Sequence, residues 1–231
     1  MSPLLNLQQV GKRFGYRYIL KDISFSLESG ESVMLIGNNG AGKSTLLRII
    51  SSLMKPTHGT IYFNGTSQKD NLQEWLRIMG SITHESRLYG DLNSIDNLRL
   101  FGTLYGIVEL KQRIKEILTQ IDLSHVAQLP VRNFSSGMTK RLMIGRLMLC
   151  QPEILILDEP YTGLDLHSLR WFQNYLHDFQ QQGGTILMVT HQLELGLELA
   201  TRVLILQRQS IEHDLSATGL SLDQCSTLLE N

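Results

Sequence analysis

One stretch constrains this chain more than any other. Gly37-Asn38-Asn39-Gly40-Ala41-Gly42-Lys43-Ser44-Thr45 fits the pattern G-x-x-x-x-G-K-[ST]. The apolar run Ser32 to Ile36 before it reads as a strand. The stretch after it carries Leu46, Leu47, Ile49, Ile50 and Leu53 and reads as a helix, stopped by Pro56-Thr57-His58-Gly59. Strand, glycine loop and helix in that order make a cradle for phosphate. Glycines let successive backbone N–H groups point inward, and the helix N-terminus adds partial positive charge. Lys43 is expected to supply a charge to the β- and γ-phosphates, and the Ser44 hydroxyl a Mg²⁺ ligand. The plain alternative is a glycine turn before a helix. Strand, loop and helix all in place argue against it. Kinases, GTPases, motor ATPases and transporter ATPases share such a loop, so the rest of the chain must choose among them.

At 231 residues the chain suits one large domain or two small ones, and it is long enough to bury a core without staples. Its 42% hydrophobic and 19% charged content excludes a disordered tail, a collagen-like fibre and a coiled coil. A net charge of −1 gives no basic field for nucleic acid or anionic lipid, so no nucleic-acid partner is expected. Cys150 and Cys225 are too few for a disulfide framework and fit a reducing compartment. No run approaches the ~20 apolar residues of a membrane span. Met1 to Asn6 lacks the charged region of a signal peptide. The expectation is a soluble intracellular protein whose membrane role, if any, comes through a partner.

Leu4 to Val10, Ile19 to Leu27 and Thr60 to Phe63 read as strands at the N-terminal end. From about Asn71 to Cys150 a helical period dominates. Leu110, Ile114, Ile117, Leu118 and Ile121 share one helix face there, and only Ile78 to Thr83 looks like a strand. After Pro152 the alternation returns. Ile154 to Leu157, Thr185 to Thr190 and Val203 to Leu206 are strands, and Leu166 to Phe179 and Gln192 to Ala200 are helices. Alternating strands and helices imply an α/β fold with a mainly parallel sheet covered on both faces and interrupted by a helical insertion.

The run Glu153 to Pro160 is an apolar strand ending in two acids. Ligands of open α/β sheets sit at the carboxyl ends of strands. Asp158 is therefore expected to hold Mg²⁺, directly or through water, and Glu159 to accept a proton from attacking water. The alternative is a surface Asp-Glu turn capped by Pro160.

Phe134-Ser135-Ser136-Gly137-Met138, followed by Thr139-Lys140-Arg141, resembles the signature of the ATP-binding cassette family, L-S-G-G-Q before a basic helix. It matches at Ser135 and Gly137 and departs at Phe134, Ser136 and Met138. A Ser hydroxyl and a helix N-terminus still make a second phosphate cradle, with a plain helix N-cap as the alternative. The resemblance covers nearly the whole chain in the family's order. It implies a P-loop NTPase (RecA-like) core with an antiparallel N-terminal part and an inserted helical subdomain. The expected division is a single nucleotide-binding domain, with its core at about 1–78 and 152–215, the helical subdomain at about 79–151 and a tail at 216–231. Leu222, Leu228 and Leu229 would make a short docking helix in that tail.

The resemblance further implies ATP and Mg²⁺ as cofactors. It places Phe14 on adenine, Leu164-Asp165 in the loop between two nucleotide sites, and His191 at the γ-phosphate. Where the family usually carries a Gln that links metal and water to the transport subunit, this chain has His84. An imidazole also accepts a hydrogen bond or binds metal, but it titrates near pH 6.5. Sites shared between copies imply a head-to-tail homodimer in the ATP state, with Ser135 to Met138 on the partner's ATP. A chain without a membrane span would drive separate integral-membrane permease subunits from the inner face of the cell membrane.

His84 to Leu92, Asn97-Leu98, Leu104-Tyr105-Gly106 and Asp158 to Asp165 resemble, more narrowly, the haem-exporter ATPase subunit of cytochrome c maturation. That implies haem-handling partners. The alternatives are an exporter of drugs, lipids or polysaccharide, a soluble cassette protein, and a small-molecule kinase. The last leaves Ser135 to Arg141, Glu159 and His191 unexplained.

Overall fold

The computed structural model describes residues 2–83 and 86–230, for Glu230 the backbone only. The chain opens with a long antiparallel hairpin, β1 (Leu5–Phe14) and β2 (Arg17–Leu27), turning at Gly15-Tyr16. β3 (Ser32–Ile36) leads through the glycine loop into α1 (Lys43–Ile50). Then come β4 (His58–Phe63), β5 (Thr66–Ser67), α2 (Leu72–Ile78) and β6 (Met79–Ile82). The helical part holds α3 (Ser94–Leu104), α4 (Leu110–Gln120) and α5 (Ser136–Cys150). β7 (Ile154–Asp158), α6 (Leu166–Gln181), β8 (Thr185–Val189), α7 (Leu193–Leu199), β9 (Arg202–Gln207), β10 (Ser210–Ser216) and α8 (Leu222–Glu230) complete it.

Two sheets result. One is antiparallel, in the order β2-β1-β4-β5. The other runs β10-β9-β3-β8-β7-β6, parallel throughout except for β10. The fold is thus the expected α/β class, a mainly parallel core with an antiparallel N-terminal sheet and a helical insertion.

The parallel strands are apolar at nearly every position because both faces are covered. Val33, Leu35, Ile154, Ile156, Leu187, Val189, Leu204 and Leu206 face one way, onto α1 and the antiparallel sheet beyond it. Leu155, Leu157, Ile186 and Met188 face the other way, onto α5 and α6, while Met34, Ile36, Val203 and Ile205 meet α7 and α8. α1 is therefore sandwiched between the two sheets, which braces the loop that leads into it. A third cluster, with Leu98, Ile114, Ile117, Leu118 and Ile121, is the core of the helical part. The face read from Leu110 to Ile121 is the face that packs there. α5 belongs to two clusters at once, giving Met143, Ile144 and Leu147 to the sheet side and Leu142 and Leu149 to the helical side.

Several expectations shift. α1 ends at Ile50, well before Pro56, and Leu53 lies beyond it, exposed. Trp75 of α2 takes over that end, since its indole N–H donates to the Ile50 carbonyl (2.9 Å). β1 runs on to Phe14 through register shifts. β6 pairs with β7 in the parallel sheet, so the sheet continues into the 79–151 stretch. β10 is not announced by the sequence, whereas α2 falls in the stretch from about Asn71 that reads as helical. The tail does form a helix, α8, and it packs on its own sheet, burying Cys225 completely.

Candidate functional site

The glycine loop joins β3 to α1 at the carboxyl end of the sheet. Two of its glycines have no substitute. A Cβ on Gly37 would stand 2.3 Å from the Leu206 carbonyl oxygen. Gly42 has φ +108, and a Cβ there would meet Leu20 at 2.8 Å. α1 starts at once after Gly42 with no side-chain cap and no acid in its first turn. Its leading N–H groups are left for another acceptor. The Lys43 ammonium donates to the carbonyls of Gly37 (2.6 Å) and Asn38 (3.1 Å). Burial pulls its pKa down, and the nearby Glu159 and Asp158 carboxylates oppose that.

Phe14, Ile19, the loop, Asp158, Glu159, Thr162 and His191 line a single cleft of about 620 Å³. Phe14 stands 51% exposed at its rim, with the Lys12 ammonium 5.2 Å from the ring centroid. Asp158 is buried at the end of β7. Glu159 follows it in the left-handed region, φ +49. Its N–H donates to the Val189 carbonyl (2.9 Å), and its Oε2 accepts from the His191 backbone N–H (3.2 Å). Among the described residues Glu159 Oε1 is buried without a hydrogen-bond partner, and His191 Nε2 lies 3.6 Å away.

Ser135, Ser136, Gly137 and Met138 are not in this cleft. Ser135 caps α5, its Oγ accepting from the Met138 N–H (3.2 Å). Asp165 caps α6 in the same way, accepting from the Ser168 N–H (2.8 Å) and hydroxyl (3.2 Å). These hydrogen bonds hold the Asp165 carboxyl below the usual carboxylate range, the backbone N–H most of all. The two capped turns touch each other, since a Cβ on Gly137 would lie 3.2 Å from the Gly163 carbonyl oxygen. Ser135, Ser136 and Asp165 form an exposed patch, with Leu164 half-buried beside it. His84 lies outside the described residues.

Two contacts are not announced by the sequence, although Lys140 stands in the basic run after Met138. Lys140 of α5 donates its ammonium to the Glu159 carbonyl (2.9 Å). Arg146, also on α5, is buried and donates to the carbonyls of Ser81 (3.2 Å) and Ser86 (3.4 Å), its guanidinium 4.9 Å from the Phe101 ring centroid. It looks like one more basic residue in the sequence and carries no local signal.

Known proteins resemble this chain in sequence and fold. The family model for the ABC transporter matches residues 20–162. The lantibiotic transport ATP-binding protein SrtF of Streptococcus pyogenes is 36% identical over 192 residues, 81% of this chain and 80% of that protein. The linearmycin resistance ATP-binding protein LnrL of Bacillus subtilis is 33% identical over 227 residues, 97% of this chain and 72% of that protein. The cytochrome c biogenesis ATP-binding export protein CcmA 2 of Cupriavidus metallidurans is 32% identical over 191 residues, 83% of this chain and 90% of that protein. The fold superposes with a TM-score of 0.84 on a dimeric, post-hydrolysis cassette, MJ0796 with ADP and Pi, at 26% identity over 94% of this chain and all of that one. The glycine loop and both carboxylates fall inside the matched segment, and the chain belongs to the ABC transporter ATP-binding proteins, as one of their ATPases.

Proposed function

We propose that the chain binds ATP between Phe14 and Glu159 and hydrolyses it when a second copy closes over the nucleotide. One observation carries this reading. Phe14, Lys43, Asp158, Glu159 and His191, scattered through the sequence, line a single cleft. Adenine stacks on the exposed ring of Phe14. Lys43 spends two of its three N–H donors on the loop's own carbonyls, which leaves one for a phosphate oxygen. Residues Gly37 to Thr45 wrap the phosphates. Glu159 Oε1, buried and without a donor, is the acceptor for the proton of attacking water, and His191 beside it faces the γ-phosphate.

Mg²⁺ fits the donors on offer. Ser44 and Asp158 line the same cleft, and no cage of three His, Cys, Asp or Glu gathers among the described residues. Mg²⁺ is usually held by one or two protein oxygens together with phosphates and water, and it would neutralise charge on the β- and γ-oxygens. His84 is a further candidate ligand from the sequence alone.

The turns at Ser135 to Met138 and at Leu164-Asp165 lie outside the lining of the cleft, which suits a role on the nucleotide of a second copy. The dimeric MJ0796 cassette supports that arrangement. Residues 1–231 then act as one nucleotide-binding domain. A membrane permease is the output, with the chain docked at the inner face of the membrane. No helix among the described residues is long and apolar enough to cross a membrane. Leu72, Leu76 and Leu104 are exposed, and the Tyr105 hydroxyl donates to the Leu76 carbonyl (3.0 Å), tying α2 to the end of α3. That pair of helices offers the permease an apolar footing.

Two cargoes have support. Haem export, with cytochrome c maturation partners, rests on the residue runs from His84 onward and on the likeness to CcmA 2. Export of another compound, such as a peptide or drug, rests on the higher identities with SrtF and LnrL. Capture from native membranes with Glu159→Gln and ATP tests both. The variant is expected to bind ATP, hardly turn over and hold a dimer with its permease, while Lys43→Ala loses ATP. Co-purifying cytochrome c maturation proteins identify haem export. A permease of another class keeps the ATPase reading and discards haem. Wild-type turnover in Glu159→Gln removes Glu159 from the chemistry.

A further inference from the structure

Glu159 is held in an unfavourable backbone. A left-handed φ is disfavoured for a residue with a side chain, so its surroundings must fix it. The backbone is held at both ends. Val189 accepts from the Glu159 N–H, and the Lys140 ammonium donates to the Glu159 carbonyl. The second of these ties is unusual. Lys140 is the fifth residue of α5, and it is partly withdrawn from solvent. Burial lowers its pKa, while Asp158 and Glu159 support its charge. A lysine with no task at this position would turn its ammonium out to water.

α5 is also the helix that Ser135 caps. The turn that faces outward and the ammonium that grips Glu159 are therefore parts of one rigid element. A shift or rotation of α5 reaches the carbonyl of Glu159 directly. We propose that Lys140 is a positioning residue that couples the Ser135 to Met138 turn to the carboxylate of Glu159 within the same subunit. In a head-to-tail dimer, that turn touches the other copy's nucleotide. Each carboxylate is then aligned only when its own subunit's turn is engaged, so hydrolysis waits for closure. This rests on Glu159 as the proton acceptor and on the turn as the partner's phosphate contact.

The test compares Lys140→Met, which keeps the stem and removes the donor, with Lys140→Gln, which keeps a neutral donor, and with Glu159→Gln. Steady-state ATPase kinetics and ATP-dependent dimerisation are read on the full chain with its co-purified membrane partner. Lys140→Met is expected to dimerise with ATP, to keep KM within about twofold and to lose kcat by ten- to a hundredfold, the scale of a misplaced catalytic group. Lys140→Gln should recover part of that loss. Wild-type kcat in Lys140→Met, a rise in KM with kcat unchanged, or no recovery in Lys140→Gln overturns the coupling. If Lys140→Met fails to fold, Lys140→Gln is held to the same KM and dimer criteria, with a smaller loss of kcat expected. An active Glu159→Gln overturns the underlying reading instead, whatever the lysine variants do.

Discussion

Asn38 of the glycine loop donates its side-chain amide to the carbonyl of Leu229 at 2.9 Å, so the last helix is tied to the first segment of the nucleotide cradle. Gln207 at the end of β9 makes a second tie, to the Leu228 carbonyl (2.7 Å). The side of the loop away from the cleft therefore rests on α8.

Cys225 reports on that helix. It is completely buried against Met34, Ile36, Val203 and Ile205, and burial pushes its thiol pKa up. A thiol reagent should modify Cys225 only when α8 opens, and ATP should slow the reaction by favouring the closed state. Mass-resolved labelling with and without ATP measures this. Labelling at the rate of the unfolded chain would show that α8 does not hold.

Asp165→Ala removes the cap of α6 and should cost about 1 kcal/mol at pH 7. The Asp165 carboxyl is held low in the folded chain by Ser168, so its contribution is complete above its unfolded pKa of about 4 and is lost as pH falls through the lower folded value. Asp165→Asn accepts the same N–H without a charge. Wild type should therefore lose more stability than Asp165→Asn on going from pH 6 to about pH 3. Denaturant titrations at both pH values check it, and parallel losses would contradict it.

Phe14→Ala should weaken ATP binding by about 0.5–1.5 kcal/mol if the ring stacks on adenine. The ring is half exposed, so Tm should hardly change. Calorimetric titration with ATP separates the two effects. Unchanged affinity would make Phe14 a surface residue with no nucleotide contact.

Arg146→Met strands the carbonyls of Ser81 and Ser86 and removes the cation from Phe101. The expected loss is about 2–3 kcal/mol, which for a chain of this size is a fall in Tm of roughly 4–12 °C. Arg146→Lys should not restore it, because a single ammonium cannot span both carbonyls as the planar fork does. Thermal melts of the two variants decide this.

The legible parts of the chain were those whose pattern is local. Ser32 to Ile36 and Ile154 to Leu157 read as buried strands because both faces are covered, and the loop between β3 and α1 is written in consecutive residues. β10 was missed because it is a polar edge strand, mostly exposed, whose place is fixed by pairing with β9. Sequence spacing predicts Leu53 in α1, but the helix stops at Ile50, where the carbonyl already accepts from Trp75 and Gln68. Lys140 and Arg146 look like ordinary basic residues. Their partners are backbone carbonyls on distant segments, which no spacing announces.

α5 belongs to two interiors at once, and that bears on how freely the sequence can drift. On α4, Lys111, Lys115 and Glu116 point to water, so substitutions there should pass unnoticed. α5 has almost no such outlet. A charge at Met143, Ile144 or Leu147 would land against the parallel sheet, and one at Leu142 or Leu149 among the helices of the insertion. Ser136 alone among its residues is exposed, and it belongs to the turn placed on the partner's nucleotide, so a mutational scan should find little tolerance anywhere along this helix.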